Sequence, residues 1–161
     1  LYMDIYISLQ KFDKAIEIYK KAIQSNQGQW WFFIEELGRI YYLTGKYKEA
    51  LDTIKEWNEI RGIDPSKSKY NGIIYALSGD GEKAGNIINA IENDNSFESK
   101  NISIAAIYAA MGENNRAIDR LEKAYIKREY GISTIKSEPE WITLRSDSRY
   151  KALLKKIGFP E

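Results

Sequence analysis

The sequence contains no cysteine and no histidine among its 161 residues. The absence of cysteine excludes disulfide bonds and thiolate chemistry, and the absence of histidine excludes imidazole as a base or metal ligand. These two absences remove most of the usual catalytic repertoire. We therefore expect a protein that is not an enzyme and that holds neither a cofactor nor a metal.

Long apolar runs and a surplus of charge are also missing. The longest apolar run is residues 104–111, eight residues, whereas roughly 18 are needed to span a bilayer. The net charge is +1, so the chain has no large excess of positive charge that would attract a nucleic-acid backbone. Residues 116–161 hold 11 basic and 7 acidic side chains, so residues 1–115 carry a net charge of −3, which argues against RNA binding.

The adjacent carboxylates Glu35 and Glu36 do not restore a catalytic interpretation. Neighbouring residues on a helix point about 100° apart, so these side chains do not converge on one substrate. The sequence also has no phosphate-binding loop and no Gly-x-Ser-x-Gly motif.

What the sequence does contain is a repeat of about 34 residues. Its clearest copy, residues 37–51, has a small residue at Gly38, a tyrosine at Tyr41, a turn at Gly45 and an alanine at Ala50. Successive tyrosines of the four copies are 35, 34 and 33 residues apart. The tyrosine, turn residue and alanine of the other copies are Tyr6, Gln10 and Ala15; Tyr75, Gly79 and Ala84; and Tyr108, Gly112 and Ala117.

Spacing within the clearest copy predicts two helices joined by a tight turn. Phe33, Leu37 and Tyr41 are four residues apart and therefore share one face of a first helix. Gly45 ends that helix because glycine adopts the left-handed conformation at little cost. A second helix follows, and Ala50 is small where the two helices must approach closely.

This pattern resembles the tetratricopeptide repeat family, in which helix-turn-helix units stack into a superhelix. The resemblance implies an all-α fold, a right-handed superhelix of antiparallel helix pairs with a C-terminal capping helix. We expect residues 1–130 to form four helix pairs, the first of them truncated. Residues 131–161 are expected to form the capping segment, with a break at Glu138 and Pro139 and an amphipathic helix over residues 148–157.

Short polar side chains indicate where the helices begin, because they can accept hydrogen bonds from the free N–H groups of a first turn. The predicted N-terminal caps are Asp64 (before Pro65), Asp80, Ser99, Asn114 or Asn115, and Asp147.

Four consecutive aromatic residues, 30–33, open the first helix of the second pair. They sweep about 300° around a helix, so at least one of them must lie exposed or against a neighbour. They either pack on the first repeat and fix the direction in which the chain enters the helix, or form an exposed aromatic edge of a ligand site.

A second resemblance covers residues 104–160. The runs IAAIYAAMGENNRAIDRLEKAY and LRSDSRYKALLKKIGFP resemble the C-terminal end of bacterial tetratricopeptide proteins whose array follows a winged-helix domain, a nucleotide cyclase or a kinase. This resemblance implies the sensing or partner-docking end of a bacterial regulator. Because the chain opens at Leu1, inside the first repeat, we expect a piece of a longer protein.

In the tetratricopeptide family the first helix of each pair lines a concave groove that holds a peptide or a partner helix. The resemblance therefore implies a non-catalytic scaffold for protein partners. Asp4 and Glu35 stand where a chaperone clamp needs a cation or an amide, so we expect a basic or apolar partner segment instead. The positions that face the groove are Asp4, Ile7 and Ser8; Glu35, Glu36, Arg39, Tyr42 and Leu43; Lys69, Tyr70, Ile73, Ala76 and Leu77; and Ile102, Ser103, Ala106 and Ala109.

The alternative hypothesis is a sensory or oligomerisation module. Tyr2, Ile5 and Leu9 lack a covering helix in the truncated first repeat, so this end could pair with a second copy or with further repeats. We expect a cytoplasmic protein, although the absence of cysteine fits an extracytoplasmic compartment equally well.

Overall fold

The computed structural model describes residues 11–25 and 30–159, and all regular secondary structure within them is helical. The predicted all-α fold is confirmed. The α-helices are α1 (Phe12–Ser25), α2 (Trp30–Leu43), α3 (Tyr47–Arg61), α4 (Lys69–Leu77), α5 (Gly81–Asn93), α6 (Lys100–Ala110), α7 (Asn114–Ile126) and α8 (Ser148–Ile157). Short 3-10 helices occupy Pro65–Lys67, Ile132–Thr134 and Pro139–Leu144.

The helices form a solenoid of stacked pairs. Helix α2 packs on α3, α4 on α5, and α6 on α7, while α4 also packs on both α2 and α6. Helix α1 packs against α2. The first helices of three consecutive pairs, α2, α4 and α6, therefore lie side by side. The open N-terminal face predicted around Tyr2, Ile5 and Leu9 lies outside the described residues.

Small residues stand where helices come closest. A Cβ atom added at Gly38 would lie 2.5 Å from Cδ1 of Ile54 on the paired helix. A Cβ atom added at Gly72 would lie 2.5 Å from Cδ1 of Ile107, which belongs to the next pair. The small position of the motif thus sets the spacing between neighbouring pairs as well as within one pair.

The repeated tyrosines contribute to one continuous core. Tyr41 and Tyr108 are buried, and Tyr75 is half-buried against the same core. The turn glycines that follow them, Gly45, Gly79 and Gly112, all have positive φ, as a tight turn after a helix requires.

Two predicted N-terminal caps are confirmed. The Asp80 side chain accepts a hydrogen bond from the backbone N–H of Lys83 at the start of α5. The Asp147 side chain accepts from the backbone N–H groups of Arg149 and Tyr150 at the start of α8. Gly158 ends α8 in the left-handed conformation.

Other predicted caps are wrong in position. Asp64 caps the 3-10 helix Pro65–Lys67, and α4 starts later, after Ser68. Neither Asn114 nor Asn115 caps α7, because both lie inside the helix and Glu113 precedes it.

The prediction that Ser99 caps α6 with its side chain is also wrong. Its hydroxyl donates instead to the carbonyl of Tyr130. The N–H groups of Asn101 and Ile102 are satisfied by the carboxylate of Glu129, which comes from the loop after α7. A distant side chain thus replaces the local cap.

The C-terminal residues pack on the end of the array. Helix α8 contacts α7, and its Tyr150 and Leu153 are buried in the common core. The hydroxyl of Tyr150 donates to the carbonyl of Ile135 at 2.8 Å. Where a break was predicted, Pro139–Leu144 forms a 3-10 helix that packs against α6 and α7.

One member of the aromatic run at the start of α2, Phe33, packs toward α1. The Phe33 ring lies 6.0 Å from that of Tyr19 on α1, measured between centroids. Phe32 is 47% exposed, which agrees with the prediction that the run cannot face one core. Within residues 11–25 and 30–159, no helix is both long and apolar enough to cross a membrane.

Replacing Ala50 or Ala117 with leucine should lower the free energy of unfolding by about 1–3 kcal/mol. Both alanines are fully buried at helix contacts, so a larger side chain has no room. Urea unfolding measures the effect, with Ala152→Leu on the exposed face of α8 as the matched control. Equal unfolding midpoints for all three variants would contradict this packing.

Candidate functional site

A pocket of about 390 Å³ lies on the face built by α2, α4 and α6. Its opposite wall comes from residues 130–141, after the last repeat helix. Seven predicted groove residues line it: Glu35, Arg39, Lys69, Tyr70, Ile102, Ser103 and Ala106. The sequence analysis missed the other lining residues, Ser99, Tyr130, Gly131, Ser133, Thr134, Ile135, Glu138, Glu140 and Trp141.

The remaining predicted groove residues do not line this pocket. Among them, Glu36, Tyr42, Ile73 and Ala109 are buried, Leu43 and Ala76 are half-buried, and Leu77 is 37% exposed. Asp4, Ile7 and Ser8 lie outside the described residues.

One buried guanidinium, that of Arg39, is the electrostatic centre of the site. Its Nη2 lies 2.5 Å from a carboxylate oxygen of Glu138 and 2.8 Å from one of Glu140. Its Nη1 lies 3.3 Å from the Glu36 carboxylate on the same helix. The Tyr42 hydroxyl donates to the other oxygen of Glu140 at 2.6 Å. We call Glu36, Arg39, Tyr42, Glu138 and Glu140 the Arg39 site.

Burial and neighbouring charge shift the pKa values of Arg39 and Glu140 in opposite directions. Burial alone would raise the pKa of Glu140, but the Arg39 guanidinium lowers it below its usual range. Burial alone would lower the pKa of Arg39, yet the Glu140 carboxylate holds it above its usual range. These shifts keep the Arg39–Glu140 pair charged in the folded protein.

Glu36 behaves differently because its single contact with Arg39 is weaker. Burial raises the pKa of Glu36 to about 7, despite the neighbouring Arg39. Its second oxygen and the Nε of Arg39 have no hydrogen-bond partner within the described part of the chain. The single positive charge of Arg39 therefore does not fully offset the negative charge of the three carboxylates that surround it.

A second polar contact connects neighbouring pairs beside the pocket. The hydroxyl of Tyr70 on α4 donates to the carboxylate of Glu35 on α2. Burial raises the pKa of Tyr70, and Glu35 raises it further. The Tyr70 ring also packs edge-on against Trp57 with centroids 5.3 Å apart, and Lys69 Nζ lies 4.7 Å from its centroid. These contacts hold the aromatic wall of the pocket in one position.

The mouth of the pocket presents one free aromatic side chain. Tyr130 is 89% exposed and borders the pocket. At the opposite extreme, Trp141 is buried, and its indole N–H has no acceptor among the residues that the structure describes. The site thus combines an exposed aromatic ring with a buried donor, both from the segment after the repeats.

The comparisons with known proteins identify a repeat at the start of the chain. Residues 4–29 match the family model described as tetratricopeptide repeat. Over 126 residues the chain is 29% identical to human protein O-mannosyl-transferase TMTC1, a match covering 74% of this chain. The chain spans 14% of that protein's length. No solved structure matches the chain. A tetratricopeptide repeat is therefore present, while the resemblance to bacterial regulators stays a prediction.

Tyr42→Phe should lower the free energy of unfolding by about 1–3 kcal/mol, because it removes a hydrogen bond to the buried Glu140 carboxylate. Chemical denaturation measures the change. Tyr41→Phe is the matched control on the same helix, since its hydroxyl makes no hydrogen bond to any described residue. Equal losses for the two variants would show that the bond to Glu140 adds no stability.

The pKa of Glu36 predicts a dependence of stability on pH. A carboxyl with a raised folded-state pKa holds its proton in the folded protein between about pH 4.5 and 7, where the unfolded chain releases it. Unfolding free energy should therefore fall as pH rises through this window, by up to about 3 kcal/mol. Glu36→Gln should flatten this slope, whereas Glu49→Gln at an exposed position should not. An unchanged slope in Glu36→Gln would contradict the assignment.

Proposed function

We propose that this chain is a non-catalytic scaffold that binds a segment of a partner protein on its concave face. Tetratricopeptide repeats generally mediate protein–protein interaction, and such a repeat is present at residues 4–29. The observation that carries the proposal is the pocket of about 390 Å³ bordered by the first helices of three consecutive pairs. We keep the division of the chain near residue 130 as part of this proposal.

The lining of the pocket suits a peptide. Tyr130 offers a large exposed ring, and aromatic residues of this kind often dominate the energy of an interface. The unpartnered donors Arg39 Nε and Trp141 Nε1 belong to residues that border the pocket. Both atoms are buried in this arrangement, and each costs about 1–3 kcal/mol while it lacks an acceptor.

The predicted basic or apolar character of the partner stays a prediction. Of the acidic side chains on which it rested, Asp4 lies outside the described residues. Glu35 accepts a hydrogen bond from Tyr70, and Glu36 pairs with Arg39. The acidic charge that this wall offers to a partner is correspondingly smaller than the sequence alone indicates. The transferase activity in the name of the human relative is not carried over to this chain.

Tyr130→Ala should weaken binding of a groove ligand at least tenfold without changing stability, because the side chain is almost fully exposed. Peptides selected from a random phage-displayed library on the full chain supply the probes, and fluorescence anisotropy measures their affinity. Ile126→Ala is the matched control, since Ile126 is 77% exposed and does not line the pocket.

Two results would count against the proposal. One is a selection that returns no peptide with measurable affinity for the folded chain. The other is a set of selected peptides whose affinities respond equally to Tyr130→Ala and Ile126→Ala, which would place the binding surface elsewhere.

A further inference from the structure

Residues 138–144, which we call the docked segment, occupy part of the concave face. Their 3-10 helix packs against α6 and α7. Their carboxylates reach back to Arg39 on α2, 99 and 101 residues earlier in the chain. The face that is proposed to receive a partner therefore already holds a segment of its own chain.

The docked segment is bound by the features that usually anchor a peptide. Trp141 and Leu144 are buried, at 3% and 0% exposure. Glu140 accepts hydrogen bonds from Tyr42 at 2.6 Å and from Arg39 at 2.8 Å. Glu138 approaches the same guanidinium at 2.5 Å. An aromatic anchor beside charge-assisted hydrogen bonds is a combination that dominates many protein interfaces.

The residues that bind the carboxylates of the docked segment are among those predicted to face the groove. Arg39 and Tyr42 lie on α2, which borders the pocket together with α4 and α6. Both are closed to any other ligand while Glu140 is in place, because Tyr42 is 2% and Arg39 6% exposed. A partner can use this part of the groove only if the docked segment leaves.

Two features of the docked segment oppose its attachment to the face. Three carboxylates surround the Arg39 guanidinium, so repulsion among them opposes the attraction of each to Arg39. Ile142 is 61% exposed and contributes little buried surface. Helix α8 has its own buried residues, Tyr150 and Leu153, against the array. Release of the segment therefore does not require the end of the chain to detach.

We propose that the docked segment is an internal ligand that competes with the partner for the groove. This inference rests on the proposed function and names the class of partner. The partner segment carries two carboxylates separated by one residue, followed directly by a large aromatic side chain, as in Glu138-Pro139-Glu140-Trp141. Its apparent affinity is reduced in proportion to the fraction of molecules from which the docked segment has been released.

The test uses the full chain and a peptide of its own sequence. The probe is a fluorescently labelled peptide of residues 136–146, KSEPEWITLRS, and anisotropy measures its binding. The double variant Glu138→Lys, Glu140→Lys should release the docked segment, since it places cations against Arg39. We expect this variant to bind the peptide at least tenfold more tightly than the unmodified chain does.

Two matched controls test whether the chain recognises the carboxylates of the peptide through Arg39. A peptide with both glutamates replaced by lysine should not bind the released variant. Adding Arg39→Met to the released variant should abolish binding of the original peptide. If the double variant loses helicity, the near-isosteric Glu140→Gln is used, and it should still bind the peptide more tightly than the unmodified chain.

Other outcomes overturn the inference. Equal affinity of the peptide for the unmodified and the released chain would show that residues 138–144 do not compete for the groove. If the released variant prefers the lysine-containing peptide, the partner segment is basic and not acidic. Random-library peptides that depend on Tyr130, together with no binding of the 136–146 peptide, would retain the proposed function and reject the internal ligand.

Discussion

The close approach of neighbouring helices is the constraint on which the rest of this structure depends. At Gly38 and Gly72 there is no room for a Cβ atom without moving Ile54 or Ile107. Interiors packed this densely do not deform gradually, so each pair is set against the next in one arrangement. That arrangement brings α2, α4 and α6 side by side and forms the face on which the pocket lies.

A concave face removes water from the side chains that line it, and Arg39 shows the consequence. A buried guanidinium without a counter-charge is very costly, and Glu36, on the same helix, approaches it only to 3.3 Å. Glu138 and Glu140 supply closer partners from the far end of the chain. Three acids now surround one base, and burial, opposed only in part by Arg39, raises the pKa of Glu36.

The ion pairs of Arg39 with Glu138 and Glu140 stabilise the fold and also lie on the surface of the proposed function. The contacts that compensate Arg39 also place residues 138–144 on the face that we propose binds a partner. What remains open is the pocket beside the segment, with Tyr130 at its mouth. Under the proposed function, a partner either uses the remaining pocket or exchanges places with the docked segment.

The sequence by itself determined the repeat and the helices, because these depend on spacings of three to five residues within each unit. Local caps such as Asp80 and Asp147 were predictable for the same reason. The predicted groove positions stay a prediction, and seven of them line the pocket. Only the tertiary structure decided that Glu129 caps α6 and that Glu140 neutralises Arg39. Those partners are separated by 27 to 101 residues, and a single long-range contact leaves no periodic pattern to read. The break expected at Glu138 separates two 3-10 helices, and the second of them, Pro139–Leu144, docks beside Arg39 through contacts that no local pattern predicts.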